Sequence, residues 1–476
     1  DDDTADTGEI GSGSIAVFGV ENVIGGAAND IVVMDKSQAG STNVINLAGE
    51  LPDLTPGGNF TEGRDLVTYD HATVAGSSRP SLTVKVESAA GTDTVAMTGG
   101  VLGTATVTDT LIGVEVLNVA AAADSLTTGS TTGAGPNDKL DLSATAGATV
   151  NFGTADVTVG RSLGGQTTAN SVANVEANTL EAGGVSLTAS NLGSELLEIV
   201  GITQIERVAG SAGVDRVIVG DGSAFANARF AAADAATTSS LTFFGHYSTA
   251  TRGYTIKDSI ENNGLYQFDL GGGDDWLDYR TSNDQIAVVL DFSTAEKDWV
   301  LVSTDGDATF FERAENDRID FGIGVERYVG SNLAGVNNTI DLSRADTAVT
   351  VTFGVESSVT NNEVKDPNGV DPNAGGTKTP VDQMTSIVVS TAANSKVGTF
   401  MQSSANPATG TAEVLWEKIE GSNQNETVIF SPFQDRNADE TLNLRGGNNV
   451  VDYTNAILAG QSDAYTLNVN AFAGTK

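Results

Sequence analysis

The stretch GGDDWLDYR at residues 272–280 decides the reading of this chain, because it returns as GRDLVTYD at 63–70 and GGNNVVDYT at 446–454. In each copy a Gly-containing turn and Asp or Asn run into a short β-type segment that closes on Tyr. A second phrase is interleaved with it: GVENVIGGAANDIVVMD (19–35), IERVAGSAGVDRVIVGDG (205–222), GVERYVGSNLAGVNNTIDLS (324–343) and WEKIEGSNQNETVIFS (416–431). A third appears as NDKLDLSATAGATVNFG (137–153) and NNTIDLSRADTAVTVTFG (337–354). Repetition on this scale implies stacked units, each contacting its neighbours, rather than one globular core.

The order of the phrases repeats too. Tyr69 and Tyr279 lie 210 residues apart, and Glu115 and Glu326, like Glu206 and Glu417, lie 211 apart. The spacing divides the chain into the end of a preceding super-repeat (1–58), a first full one (59–270), a second (271–444) and the start of another (445–476). Opening and closing in mid-pattern, the chain reads as part of a longer protein.

Short runs of Val, Ile, Leu and Thr, such as SLTVKV (81–86), TATVTD (104–109) and RVIVG (216–220), recur about every ten residues, with Gly, Asn, Asp and Ser between them. Helical periodicity is confined to FANARFAAADAATT (225–238). Two-residue hairpin signals are scarce. The expected fold class is therefore all-β, a parallel β-solenoid (β-helix or β-roll-like) with irregular loop insertions at about 222–262 and 361–380. Tandem antiparallel sandwiches are the competing architecture.

Charge narrows the partners. With 62 acidic and 24 basic residues the net charge is −38, which disfavours nucleic acid and anionic membranes, since phosphate binding needs clustered Lys and Arg. It favours divalent cations or simple solubility. Zero cysteines exclude disulfides and thiolate sites, and two histidines, His71 and His246, leave little for a zinc triad or a Ser–His–Asp site. No apolar run approaches the roughly 18 residues of a membrane span, and residues 1–14 do not read as a signal peptide.

Calcium takes six to eight oxygens from carboxylates, amides and backbone carbonyls, which acidic Gly-rich turns supply. The best cluster is Asp274, Asp275 and Asp278. Asp30, Asp215, Asp138 and Asp141 hold equivalent turn-to-strand positions, and Asn338 with Asp341 repeats the last pair. Each could equally cap a backbone N–H within its turn. Weaker sets are Asp366, Asn368 and Asp371, and Asp305 with Asp307. The recurring glutamates read as solvated corners and the tyrosines as stacked packing.

GGGDDWLDY (271–279), with GVENVIGGAAND and NDKLDLS, resembles the calcium nonapeptide G-G-x-G-x-D-x-U-x of the repeats-in-toxin family of type I secreted proteins. The likeness covers nearly the whole chain in pattern, without two consecutive perfect nonapeptides. It implies an extracellular protein that uses Ca²⁺ and belongs with large adhesins and surface-layer proteins. The expected function is non-enzymatic: a bacterial surface-layer, sheath or filament subunit whose partners are other copies of itself and cell-surface glycan. A stalk of a large adhesin is the alternative, and a β-helix polysaccharide-degrading enzyme the second.

Overall fold

The computed structural model describes residues 20–25, 30–35, 42–47, 65–70, 81–86, 92–98, 105–114, 116–119, 138–152, 157–160, 172–175, 179–182, 195–200, 202, 205, 207–219, 266–282, 285–292, 297–303, 318–331, 338–355, 384–394, 397–403, 416, 418–430 and 441–454. The insertions at 222–262 and 361–380, the helical run at 225–238, Asp305, Asp307, Asp366, Asn368, Asp371 and both histidines lie outside that set.

Alternation of apolar and polar residues makes strands, and the chain lays them alternately into two 14-stranded sheets. β1 (Asn22–Ile24) enters the first sheet, β2 (Ile31–Asp35) the second, β3 (Thr42–Asn46) the first and β4 (Leu66–Asp70) the second. The first sheet then takes three strands running, β5 (Ser81–Lys85), β6 (Thr92–Thr98) and β7 (Thr106–Ile112). β8 (Val116–Asn118) joins the second sheet and β9 (Lys139–Asp141) the first. β10 (Ala148–Asn151) returns to the second sheet; β11 (Val157–Gly160) and β12 (Val172–Val175) form a separate antiparallel pair. β13 (Thr179–Ala182) and β14 (Glu195–Val200) complete the second sheet's own threesome.

That schedule then runs again. β15 (Arg207–Ala209), β16 (Arg216–Ile218), β17 (Gln267–Asp269) and β18 (Trp276–Asp278) alternate between the sheets. β19 (Gln285–Val289), β20 (Lys297–Ser303) and β21 (Arg318–Ile323) form a threesome in the first sheet. β22 (Arg327–Val329) and β23 (Thr339–Asp341) follow as singles, before a threesome in the second sheet, β24 (Val349–Val355), β25 (Met384–Thr391) and β26 (Gly398–Ser403). β27 (Lys418–Glu420), β28 (Glu426–Phe430), β29 (Thr441–Asn443) and β30 (Val450–Asp452) begin the schedule a third time.

Neighbours from different turns of the schedule pair in parallel, as β3 with β7, β16 with β18 and β28 with β30. Within each threesome pairing is antiparallel: β5–β6–β7, β10–β13–β14, β19–β20–β21 and β24–β25–β26. The expectation of uniformly parallel strands is corrected there. Period-two alternation has no direction, so it cannot distinguish a strand that doubles back from one that advances. The reversals also pass through connections longer than tight hairpin turns, spanning 86–91 and 99–105 for β5–β7, so no two-residue turn signal exists to read.

One buried cluster runs between the sheets from Ile45 to Phe430. It is mostly aliphatic, with aromatic stacks such as Phe353–Phe430 and Phe430–Tyr453 at centroid distances of 4.6 and 4.4 Å. Tyrosine–aspartate bonds cross it. Tyr69 after Thr68 on β4 donates its hydroxyl to Asp109 on β7 at 3.0 Å, and Tyr279 donates to Asp320 on β21 at 3.0 Å. Both tyrosines are fully buried. The 210-residue sequence spacing is thus a repeated contact between sheets.

Candidate functional site: the acidic turns and the arginine–tryptophan face

The turn 271–275 is made for close stacking. Gly271 has φ +84°, and a Cβ there would lie 2.5 Å from the Ser211 carbonyl; one on Gly273 would lie 2.1 Å from the Gly213 carbonyl. Only glycine lets one turn sit so near the next. The Gly272 N–H donates to the Ser211 carbonyl at 3.3 Å, tying the two turns directly.

Acids at these turns reach across to the neighbouring turn. The Asp215 N–H donates to Asp275 Oδ1 at 2.7 Å, the Asp275 N–H to Glu326 Oε2 at 2.8 Å, and the Ala148 N–H to Asp215 Oδ1 at 2.8 Å. The same device recurs at other turns: the Asp30 N–H donates to Asp65 Oδ1 at 2.7 Å and the Glu426 N–H to Asn449 Oδ1 at 2.9 Å. In the first sheet, Asp138 accepts from the Leu82 N–H at 2.7 Å and Asn338 from the Ile286 N–H at 3.3 Å. Such bonds satisfy N–H groups that open at the start of strands.

The remaining acids of 272–280 meet arginines. Asp278, fully buried on β18, accepts from Arg216 Nη2 at 2.5 Å and Arg280 Nε at 3.0 Å. Burial alone would raise its pKa; the charges of Arg280 and Arg216 outweigh that and hold it below the usual carboxylate value. Asp274 pairs with Arg327. Arg216 and Arg327 lie over the Trp276 ring at 4.8 and 5.0 Å from its centroid. These three residues are aligned on neighbouring strands, since Arg216 pairs with Trp276 and Trp276 with Arg327.

Asp275 is the exception. It has no exposed surface, and its Oδ2 has no hydrogen-bond partner. Burial pushes its pKa up to about 8, helped by the charges of Asp215, Glu326 and Asp274 and opposed by the Asp215 N–H. Burial raises Asp215 as well, against the bonds from Ser211 and Ala148.

The nine residues singled out for calcium are therefore placed as follows. Asp274, Asp275 and Asp278 share one turn and strand but face different partners. Asp215 stands one turn away, where it also takes the Ser211 N–H at 2.6 Å. Asp141 holds the Ser143 N–H at 3.0 Å and Lys139 at 2.9 Å, while Asp341 holds the Ser343 N–H at 2.7 Å. Asp30, Asp138 and Asn338 sit at other turns. Among the described residues, no group of three or more His, Asp or Glu side chains is arranged to hold a metal ion. The donor set is thus dispersed over backbone N–H groups and arginines of several turns.

The glutamate reading changes at one position. Glu326 is half-buried and bonded to the Asp275 N–H rather than standing at a free corner; Glu21 is exposed, and Glu115, Glu206 and Glu417 lie outside the described residues. The sequence reading missed Arg216, Arg327 and Trp276 altogether. Their signal was positional: RVI, WLD and RYV place Arg, Trp and Arg at the same step of three aligned strands. No protein-family model matches the chain, and no curated protein matches it.

Proposed function

We propose that this chain is a non-catalytic β-solenoid scaffold of a bacterial extracellular surface, a surface-layer, sheath or filament subunit. The observation that carries the reading is how its polar groups are used. Acids that would serve a catalytic or metal centre are bound to backbone N–H groups of the next turn or to buried arginines. Such bonding holds turns in register over a long pair of sheets and leaves those carboxylates no substrate to face. In this reading Ca²⁺ acts between copies, bridging outer carboxylates of a chain that carries −38. The likeness to repeats-in-toxin surface proteins supports an exported location and cell-surface glycan as a further partner.

Sedimentation of the purified chain in calcium, against sodium at equal ionic strength, tests this. Assemblies that grow with calcium and dissolve on chelation are expected. A chain that stays monomeric in both but attaches to surfaces is an adhesin stalk. Cleavage of a polysaccharide, lost on changing one or two Asp residues, would make it an enzyme.

A further inference from the structure

We infer that the outward face of β1, β3, β7, β6 and β5 is a contact surface between two copies of this chain. The inference rests on the assembly reading above and names a surface for it.

Strict alternation fixes which side chains point out. On β6, Asp93, Val95 and Met97 are buried, so Thr92, Thr94 and Thr98 face away from the core; on β7, Val107, Asp109 and Leu111 are buried and Thr106, Thr108 and Thr110 face away. Register aligns these across strands. Thr42 pairs with Thr108, Thr108 with Ala96 and Ala96 with Thr83; the next row runs Asn22, Val44, Thr110, Thr94 and Lys85. The outcome is a field made mostly of hydroxyl and methyl groups, with the amides of Asn22 and Asn46. Ile24 stands at its edge with 81% of its surface exposed.

Charge selects the occupant. The outward residues of these five strands include no acid, and Lys85 is the single charge among them, in a chain with 62 acids. Beyond β5 the field ends at the Lys139–Asp141 pair on β9. Two bodies of −38 repel, and without a bridging cation they repel least where the surfaces that meet carry no carboxylates. A cationic partner would favour the acidic faces instead. A threonine hydroxyl both donates and accepts, so a field of them can bond to its own copy without a complementary set.

The second run of the schedule shows that this side of the sheet tolerates a covering layer. Among the outward residues at equivalent strands, Ala287, Val289, Trp299 and Phe321 are buried and Leu301 and Ile323 half-buried. The open field of the first run presents roughly 500 Å² per copy at sheet spacings, short of the ~800 Å² per partner of a stable interface. Association through it is consequently weak in solution and gains strength in an array.

The test is sedimentation velocity over a concentration series in concentrated sodium chloride without divalent cations. Wild type should self-associate reversibly. Thr94→Glu with Thr108→Glu should weaken that at least tenfold with an unchanged melting curve, and Ile24→Glu, at an exposed edge, should weaken it less. A wild type that stays monomeric throughout overturns the inference, as does association untouched by both variants. Binding of a polysaccharide by monomeric wild type, lost in the double variant, would give the face to a glycan and equally overturn it. Calcium-driven assembly is scored separately: if it fails while the salt-stable dimer forms, the assembly reading falls and this surface stands.

Discussion

The two threesomes of the first sheet, β5–β7 and β19–β21, are alike inside and opposite outside. Both bury aliphatic rows and carry inward aspartates at matched places: Asp109 and Asp320 each take a tyrosine hydroxyl, and Asp93 pairs with Leu111 where Asp298 pairs with Gly322. Outward, the first shows threonines to solvent, whereas the second buries Val289, Trp299 and Phe321. The interior and its sheet-to-sheet bonds define the unit, and the exterior is free to diverge. A difference also enters the core: Tyr328 donates to Asp298, and the residue 211 positions earlier is Leu117.

The sharpest way to separate the two runs is on β4 and β18. Asp278→Ala should cost about 3–5 kcal/mol, because Arg216 and Arg280 lose a buried counter-charge. Thr68→Ala, at the matching position before Tyr69, should stay within about 0.5 kcal/mol. Chemical denaturation of both variants measures the contrast. Next comes the outer face. Trp299→Ala should cost about 3–5 kcal/mol, since the ring is buried against Phe321 and Arg344, while Thr94→Ala should again fall within about 0.5 kcal/mol. Equal losses at the two sites would break the comparison.

Where the runs agree, variants should agree. Tyr69→Phe and Tyr279→Phe each remove a hydroxyl from a buried aspartate and should each cost about 1–3 kcal/mol. Melting curves showing a large loss in one and none in the other would refute the shared interior.

The most gradual effect is in pH. Burial pushes Asp298 up to about 7, the nearby Asp291 charge adding to it while the bonds from Tyr328 and the Asp291 N–H and the Arg344 charge oppose it. The folded chain therefore holds a proton that the unfolded one releases near pH 4, so this contribution is full below that and is lost as pH rises to about 7. Its slope is at most about 1.4 kcal/mol per pH unit. Asp298→Asn should flatten the stability profile between those values; an unchanged slope would show that Asp298 does not titrate there.

Much of this was legible. The tyrosine phrases and their 210-residue spacing translate directly into the repeated strand schedule, because a stacked unit must present the same contacts each time. Parity also pointed inward at Asp109, which shares a face with Val107 and Leu111 in TVTDTLI. At Asp320 parity misleads, since RIDFGI puts its Ile and Phe on the other face. That face is buried too, so apolar residues no longer mark the interior. The doubling back of strands was hidden for a different reason: pairing direction depends on where a connection delivers the chain, which alternation does not record. For the acids, composition does not separate cation ligands from N–H acceptors, because the same oxygens that ligate calcium also accept N–H bonds.

The central claim is that both runs of the schedule belong to one continuous pair of sheets, and it is tested most directly at their junction. Lys139 on β9 pairs with Arg207 on β15 in parallel register. In a chain without native cysteine, Lys139→Cys with Arg207→Cys should cross-link efficiently through a short bifunctional thiol-reactive reagent such as a bis-maleimide. Lys139→Cys with Val208→Cys, one step on and facing the core, should not. Cross-linking of the second pair in preference to the first, or of neither, would contradict the account.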